Sequence, residues 1–105
     1  ECALAKRYID SNYSQNITLD SLAEITHINK FYLAHSFTEC VGQSPINYLT
    51  DRRLEACKEL LVSSNLSVAQ VATSVGFSSQ SYFSQIFRKK TGMTPRQYRS
   101  RYARK

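Results

Sequence analysis

Five polar side chains recur at helical spacing in the C-terminal half of the chain: Gln80, Ser81, Ser84, Gln85 and Arg88. Residues separated by three or four positions share one face of an α-helix, so these five form a single polar face. Amide and hydroxyl groups donate and accept hydrogen bonds, whereas the guanidinium of arginine only donates them and carries a charge. The pattern predicts a surface that binds a ligand through hydrogen bonds, and not a catalytic site.

Residue patterns typical of catalysis and cofactor binding are missing from the sequence. We find no paired carboxylates, no Cys–His constellation and no glycine-rich phosphate loop. The three cysteines, Cys2, Cys40 and Cys57, have no CxxC spacing and fit unpaired thiols in a reducing compartment. We therefore expect no enzyme activity, no metal and no cofactor. No apolar run approaches the length of a membrane span, so we expect no membrane partner.

Charge is distributed unevenly along the 105 residues. Residues 1–65 contain six basic and eight acidic side chains, whereas residues 66–105 contain eight basic side chains and no acidic one. A segment of forty residues with cations and no carboxylate is typical of a surface that binds phosphates. A solvated basic face is the alternative interpretation of charge alone.

Every strong periodic signal in the chain is helical. Thr18, Asn29, Ser67 and one of Ser78 or Ser79 are expected N-caps, and Ser44-Pro45 and Thr94-Pro95 each open a helix with proline at its first position. Gly42 and Gly92 are expected to end helices. The predicted helices cover residues 2–12, 19–26, 30–40, 45–61, 68–74 and 80–91, and a seventh begins at Pro95. The helix from Pro45 has apolar residues near both ends and polar residues at 50–53, as expected of a helix that joins two small cores.

The chain contains two copies of one unit, at residues 18–48 and 67–98. Leu19, Leu22 and Ala23 recur 49 residues later as Val68, Val71 and Ala72. From position 32 the offset is 50 residues, because Tyr32, Phe37, Gly42, Pro45 and Tyr48 recur as Tyr82, Phe87, Gly92, Pro95 and Tyr98. The extra residue falls between two short helices, where a turn tolerates it. A short helix, a turn and a second helix with a polar outer face are the parts of a helix-turn-helix.

The residues of both copies closely resemble the signature of the AraC family of bacterial transcription regulators. The second copy carries the resemblance at Ala72, Gly76, Phe77, Tyr82, Phe83, Phe87, Gly92, Pro95 and Tyr98, and the first at Leu22, Ala23, Leu33, Phe37, Gly42, Pro45, Tyr48, Leu49, Arg53 and Leu54. The resemblance covers residues 3–102 and implies an all-α fold of about seven helices. It further implies two helix-turn-helix subdomains, residues 1–43 and 63–105, joined by a long central helix at residues 44–62.

The resemblance also implies sequence-specific binding of double-stranded DNA, with two recognition helices in successive segments of the major groove. Matched to the base-contacting positions of the family, the expected readers on the first recognition helix are Phe31, Ala34 and His35. On the second, where Phe83 and Phe87 are expected to face inward, the outer side chains Gln80 and Gln85 are the expected readers, with Ser81 and Ser84 secondary. The expected phosphate contacts are Lys30, Ser44, Arg88, Lys89, Thr94 and Arg96. Partial packing of Phe31 inside its own subdomain stays open, as does an ordinary exposed or phosphate-contacting position for His35. Arg53 is either a phosphate contact or an intramolecular ion-pair partner.

For the full protein we expect a transcription regulator in the bacterial cytoplasm, on the nucleoid when bound to DNA. An activator is the expected kind, and repression stays open. RNA polymerase is a further expected partner, and the family implies an N-terminal effector-binding or dimerisation domain beside this one. The alternative from a different class is a helical protein-interaction module whose basic surface contacts an acidic partner.

Overall fold

The computed structural model describes residues 2–103, which form seven α-helices and, within that range, no strand. The helices are α1 Cys2–Asn12, α2 Leu19–Thr26, α3 Lys30–Val41, α4 Pro45–Ser63, α5 Val68–Ser74, α6 Gln80–Thr91 and α7 Pro95–Tyr102. The predicted all-α fold with two helix-turn-helix pairs, α2–α3 and α5–α6, is confirmed. None of the helices in this range is both long and apolar enough to cross a membrane.

Side chains at the helix starts determine where three of the helices begin. Ser67, an expected N-cap, forms a capping box with Gln70, in which the Ser67 hydroxyl accepts from the Gln70 N–H and Gln70 Oε1 accepts from the Ser67 N–H. The same reciprocal pair forms between Thr18 and Ser21 at α2 and between Thr94 and Gln97 at α7. Each box satisfies two amides that have no carbonyl partner inside the helix. Both recognition-helix candidates, α3 and α6, end at a glycine with positive φ, Gly42 at 92° and Gly92 at 81°.

The contacts divide the chain into two units, Glu1–Arg52 and Arg53–Lys105, with the boundary inside α4. The first eight residues of α4 therefore belong to the first unit and the rest to the second. The finer division into two subdomains and a separate linking helix stays a prediction.

The core of the first unit is aliphatic, with one buried ring. Its buried side chains are Ala5, Ile9, Ile17, Leu22, Leu33, Phe37 and Leu49. Phe37 meets the ring of Tyr48 edge to face at 5.8 Å between centroids. The helical spacing of Leu4, Ala5, Tyr8 and Ile9 predicts one apolar stripe on α1, but Leu4 is 42% exposed. Its position at the edge of the stripe leaves it facing water, because Ala5 and Ile9 already fill the contact with the core.

A continuous series of aromatic contacts extends from the core of the second unit to its surface, where Tyr102 is 47% exposed. Phe77, Phe83, Phe87, Tyr98 and Tyr102 pack in that order, with successive ring centroids 5.2, 5.6, 5.5 and 4.7 Å apart. The Phe87–Tyr98 pair is the counterpart of Phe37–Tyr48 at the 50-residue offset. The two copies therefore keep one edge-to-face contact between the recognition helix and the helix after it.

Cys57 is completely buried in this second core, and burial raises the pKa of its thiol to about 12. It packs as a small apolar side chain. Cys40 differs, because its side chain lies on the exposed surface of α3.

The turn of the first helix-turn-helix pair is held by His27 in the left-handed conformation, with φ 59° and ψ 34°. It is the only non-glycine residue with positive φ among residues 2–103. Its counterpart in the second copy, 49 residues later, is Gly76, which adopts φ 105° without a side chain to strain.

We expect His27→Gly to stabilise the chain by about 0.5–1 kcal/mol. The left-handed conformation costs a non-glycine residue roughly 1–2 kcal/mol, and glycine avoids this cost. Glycine also has more conformational entropy in the unfolded state, which offsets part of the gain. Urea denaturation of the two proteins measures the difference. His27→Ala is the matched control, since it keeps the strain and gains nothing; a stabilised His27→Ala would show that the imidazole, and not the backbone, carries the cost.

Candidate nucleic-acid interface

Helix α6 presents a polar face because its two apolar side chains point the other way. Phe83 and Phe87 are completely buried, one turn apart. Between and around them, Gln80, Ser81 and Gln85 are exposed and Ser84 is half-buried. Ser79 caps the start of the helix by accepting a hydrogen bond from the Tyr82 N–H at 3.2 Å. The face predicted from the sequence is therefore displayed as one surface.

The C-terminal turn of α6 is strongly basic. Arg88, Lys89 and Lys90 occupy its last turn, and all three are exposed. Cations at this end of a helix are favoured, because the last carbonyls carry the negative end of the helix dipole. The same side chains add positive charge directly beside the glutamines and serines of the polar face.

Helix α3 is held in the same manner, with Leu33 and Phe37 completely buried. Asn29 caps it through Oδ1, which accepts from the N–H groups of Phe31 at 2.9 Å and Tyr32 at 3.3 Å. The outer face then carries Phe31, Ala34 and His35, of which Ala34 is half-buried. Phe31 is 73% exposed, so its ring is not packed inside its own unit.

Two side chains of α3, Lys30 and His35, already have carboxylate partners. Lys30 Nζ lies 3.0 Å from Asp20 Oδ1, and His35 Nε2 lies 3.4 Å from Glu39 Oε1. Lys30 Nζ also lies 5.5 Å from the centroid of the Phe31 ring. The α6 segment, in contrast, contains no acidic residue. Any phosphate or base that binds at α3 must therefore compete with groups of the protein itself.

The starts of α4 and α7 are occupied by their own caps. The Ser44 hydroxyl accepts from the Asn47 N–H at 3.2 Å, and the Thr94 hydroxyl accepts from the Gln97 N–H at 3.2 Å. The Thr94 N–H in turn donates to Gln97 Oε1 at 2.9 Å. Arg96, at the second position of α7, is exposed. Of the two candidate phosphate sites at helix starts, the one at Thr94 has more of its amides committed to the capping box.

Comparison with known proteins places this geometry in a family. A helix-turn-helix domain family matches residues 22–101. A transcriptional activator and DNA repair enzyme of Bacillus subtilis, AdaA, is 34% identical over 91% of the chain and 46% of its own length. The HTH-type transcriptional regulator YobQ of the same organism is 40% identical over 89% of the chain and 39% of its own length. The chain thus spans less than half the length of these curated relatives.

Solved structures give the same result at the level of the fold. The C-terminal domain of AraT, a response regulator from Geobacillus stearothermophilus, superimposes with a TM-score of 0.95 at 36% identity and covers 99% of this chain and 87% of its own. The DNA-binding domain of AdpA in complex with a target DNA has a TM-score of 0.92 at 25% identity, over 96% of this chain and 91% of its own. The chain belongs to the AraC family. It is a DNA-binding domain of the type found in bacterial transcription regulators.

Several polar residues of this AraC-type domain serve the fold and not the reading face. Asp10 Oδ1 accepts from the Tyr48 hydroxyl at 2.6 Å and from Arg52 Nε at 3.0 Å. Burial, and then the hydrogen bond to Asp10, raise the pKa of Tyr48 to about 12. In the second unit, Arg99 Nε donates to the Leu61 carbonyl at 2.9 Å at the end of α4. Neither contact has a counterpart in the other copy, so the repeat gives no signal for them.

Arg53 is half-buried, with its guanidinium 5.7 Å from the centroid of the Phe77 ring. Burial lowers the pKa of this guanidinium. Stacking on an aromatic ring is a third arrangement beside the two that the sequence leaves open. The spacing of four between His35 and Glu39 indicates that pair in the sequence, whereas no local spacing indicates Asp20 as the partner of Lys30.

We expect Asn29→Ala to destabilise the chain by about 1 kcal/mol, and Ser79→Ala by less, because the Asn29 carbonyl oxygen accepts two amides and the Ser79 hydroxyl one. Urea denaturation gives both values. Asn29→Asp keeps an acceptor oxygen at the same position and should stay close to the unchanged protein. A loss for Asn29→Asp equal to that for Asn29→Ala would contradict capping as the reason.

Proposed function

We propose that this chain binds a specific site on double-stranded DNA, with α3 and α6 as the two recognition helices in successive major-groove segments. The exposed polar face of α6 beside its basic last turn carries the proposal. An α-helix fits the major groove, where each base pair presents a distinct pattern of donors and acceptors. The family membership and the likeness to a domain solved with its target DNA support this function.

In α6, the side chains proposed to read bases are Gln80 and Gln85, with Ser81 and Ser84 as secondary contacts. The amide of glutamine can accept from adenine N6 and donate to adenine N7 at the same time, a pairing worth about 1–3 kcal/mol of discrimination. Serine hydroxyls can contact base edges or phosphates. All four side chains lie at least partly exposed on one face.

In α3, only one of the proposed readers can form hydrogen bonds with a base. The exposed ring of Phe31 and the methyl of Ala34 offer apolar contact, for which the methyl group of thymine is a suitable partner. His35 is the hydrogen-bonding reader of this face, and it must exchange Glu39 for a base to act. The first helix-turn-helix pair is therefore proposed to be the weaker reader.

Phosphate contacts are proposed for exposed cations and helix starts around the two reading faces. Contacts of this kind set the orientation of the protein on the duplex and supply most of the salt-dependent affinity. The proposed residues are Lys30, Arg88, Lys89 and Arg96, together with the starts of α4 at Ser44 and α7 at Thr94. Arg88, Lys89 and Arg96 are exposed and need little rearrangement to reach a phosphate, whereas Lys30 must first leave Asp20. Ser44 and Thr94 would contribute through their helix starts.

For the whole protein we propose a transcription activator that acts in the bacterial cytoplasm, contacts RNA polymerase and carries a further effector-binding or dimerisation domain. The names of the curated relatives, which include an activator and several regulators, support regulation of transcription.

Selection from a pool of random duplexes tests the proposal directly. The chain should enrich a defined sequence, and its affinity for that sequence should fall by several decades per decade of salt if roughly six phosphates are engaged. Binding should persist in excess random competitor. Enrichment of no sequence, together with tight binding to an acidic protein surface, would favour the interaction module instead.

We expect Gln85→Ala to lower affinity for the selected site more than His35→Ala does, by about five- to a hundredfold against at most a few-fold. Gln85 is exposed on the polar face, whereas His35 loses its Glu39 partner before it can contact a base. Fluorescence anisotropy with the selected duplex measures the ranking. Affinity for a random duplex is the matched control and should change little for either variant; the reverse ranking would place the main reader on α3.

A further inference from the structure

One ion pair joins the two helices of the first helix-turn-helix pair. Asp20, in the first turn of α2, holds Lys30, the first residue of α3, at 3.0 Å between Oδ1 and Nζ. The side chain of Asp20 is 76% exposed and that of Lys30 is 42% exposed. The pair therefore lies at the surface, at the end of α3 that begins the reading face.

The second helix-turn-helix pair has no equivalent of this ion pair. At the offsets of the repeat, Asp20 corresponds to Ala69 and Lys30 corresponds to Gln80. Glu39 likewise corresponds to Lys89. The carboxylates beside the first recognition helix are thus replaced by neutral or basic side chains beside the second, although the buried residues of the two helices match.

We propose that Asp20 is an affinity-limiting residue of the DNA interface, because it competes with a DNA phosphate for the ammonium group of Lys30. This inference rests on the proposed function. When Lys30 is paired with Asp20, the two charges cancel and the ammonium contributes little to the attraction of DNA. A phosphate that takes Lys30 leaves the exposed Asp20 carboxylate next to a polyanion, where like charges repel.

The size of the effect follows from the exposure of both side chains. Exposed ion pairs contribute little, so the competition should change affinity by about two- to fivefold. Each phosphate neutralised by a cation steepens the dependence of log K on log salt by about 0.9 on B-DNA. Removal of Asp20 should therefore tighten binding. It should also steepen the dependence of log K on log salt by up to about 0.9, the value of one phosphate contact.

The test compares Asp20→Asn with Glu24→Gln, which removes a second exposed carboxylate one turn further along α2. Asp20→Asn should bind the selected duplex about two- to fivefold more tightly, with a steeper salt dependence, and Glu24→Gln should show a smaller gain with an unchanged dependence. Asp20→Ala, which copies the second repeat, is a second variant. Thermal unfolding verifies that each variant folds, since Asp20 also favours the N-terminal end of α2.

The same measurement in a Lys30→Gln background isolates the competition. There Asp20→Asn should gain no more than Glu24→Gln does. An equal gain with and without Lys30 would mean that Asp20 acts by general repulsion, and weaker binding of Asp20→Asn would mean that Asp20 positions Lys30 for its phosphate; either result overturns the inference.

Selection with the unsubstituted chain distinguishes a failure of the proposed function from a failure of the inference about Asp20. If it selects no duplex, the proposed function fails, and the Asp20 variants are not needed to decide that. If it selects a duplex and Asp20→Asn does not tighten binding, the inference fails and the proposed function stands.

Discussion

The structure depends on the burial of two side chains one turn apart on each recognition helix. Leu33 and Phe37 are buried in the first unit, and Phe83 and Phe87 in the second. Because side chains four positions apart lie above one another on a helix, burying such a pair fixes the rotation of the helix about its axis. That rotation decides which residues face outward. The polar face of α6 and the mixed face of α3 are both consequences of this constraint.

The two units satisfy the constraint in different ways. Hydrophobic side chains fill a core if their volume and pattern are right, so Leu33 and Phe83 can occupy equivalent positions. The second unit adds an aromatic series that extends from Phe77 through Phe87 to Tyr102. Outward residues face no such restriction on volume. The two copies therefore share their inner residues but differ on their outer surfaces. Carboxylates lie beside α3, whereas cations occupy the last turn of α6.

Helix positions and inward residues could be predicted because local chemistry determines them. Thr18, Ser67 and Asn29 cap the helices that the sequence assigns to them, and Gly42 and Gly92 end α3 and α6. The error at Leu4 has a different origin: an apolar residue at the edge of a stripe is buried only if a neighbouring element covers it. The roles of the outward residues toward DNA stay predictions, since exposure shows what a side chain can reach and not what it binds.

By itself the sequence determined the seven helices, their internal repeat, the residues that face the cores and the uneven charge, because these depend on short-range periodicity, capping and composition. The tertiary structure alone decided which charged groups on different helices meet. Asp20 and Lys30 lie on different helices, as do Asp10 and Arg52, and Arg53 and Phe77 are far apart along the chain. Such pairs arise only when packing brings distant backbone segments within a few ångströms. The polar face of α6 is therefore readable from the sequence, whereas the carboxylate that restrains Lys30 at α3 is visible only in the fold.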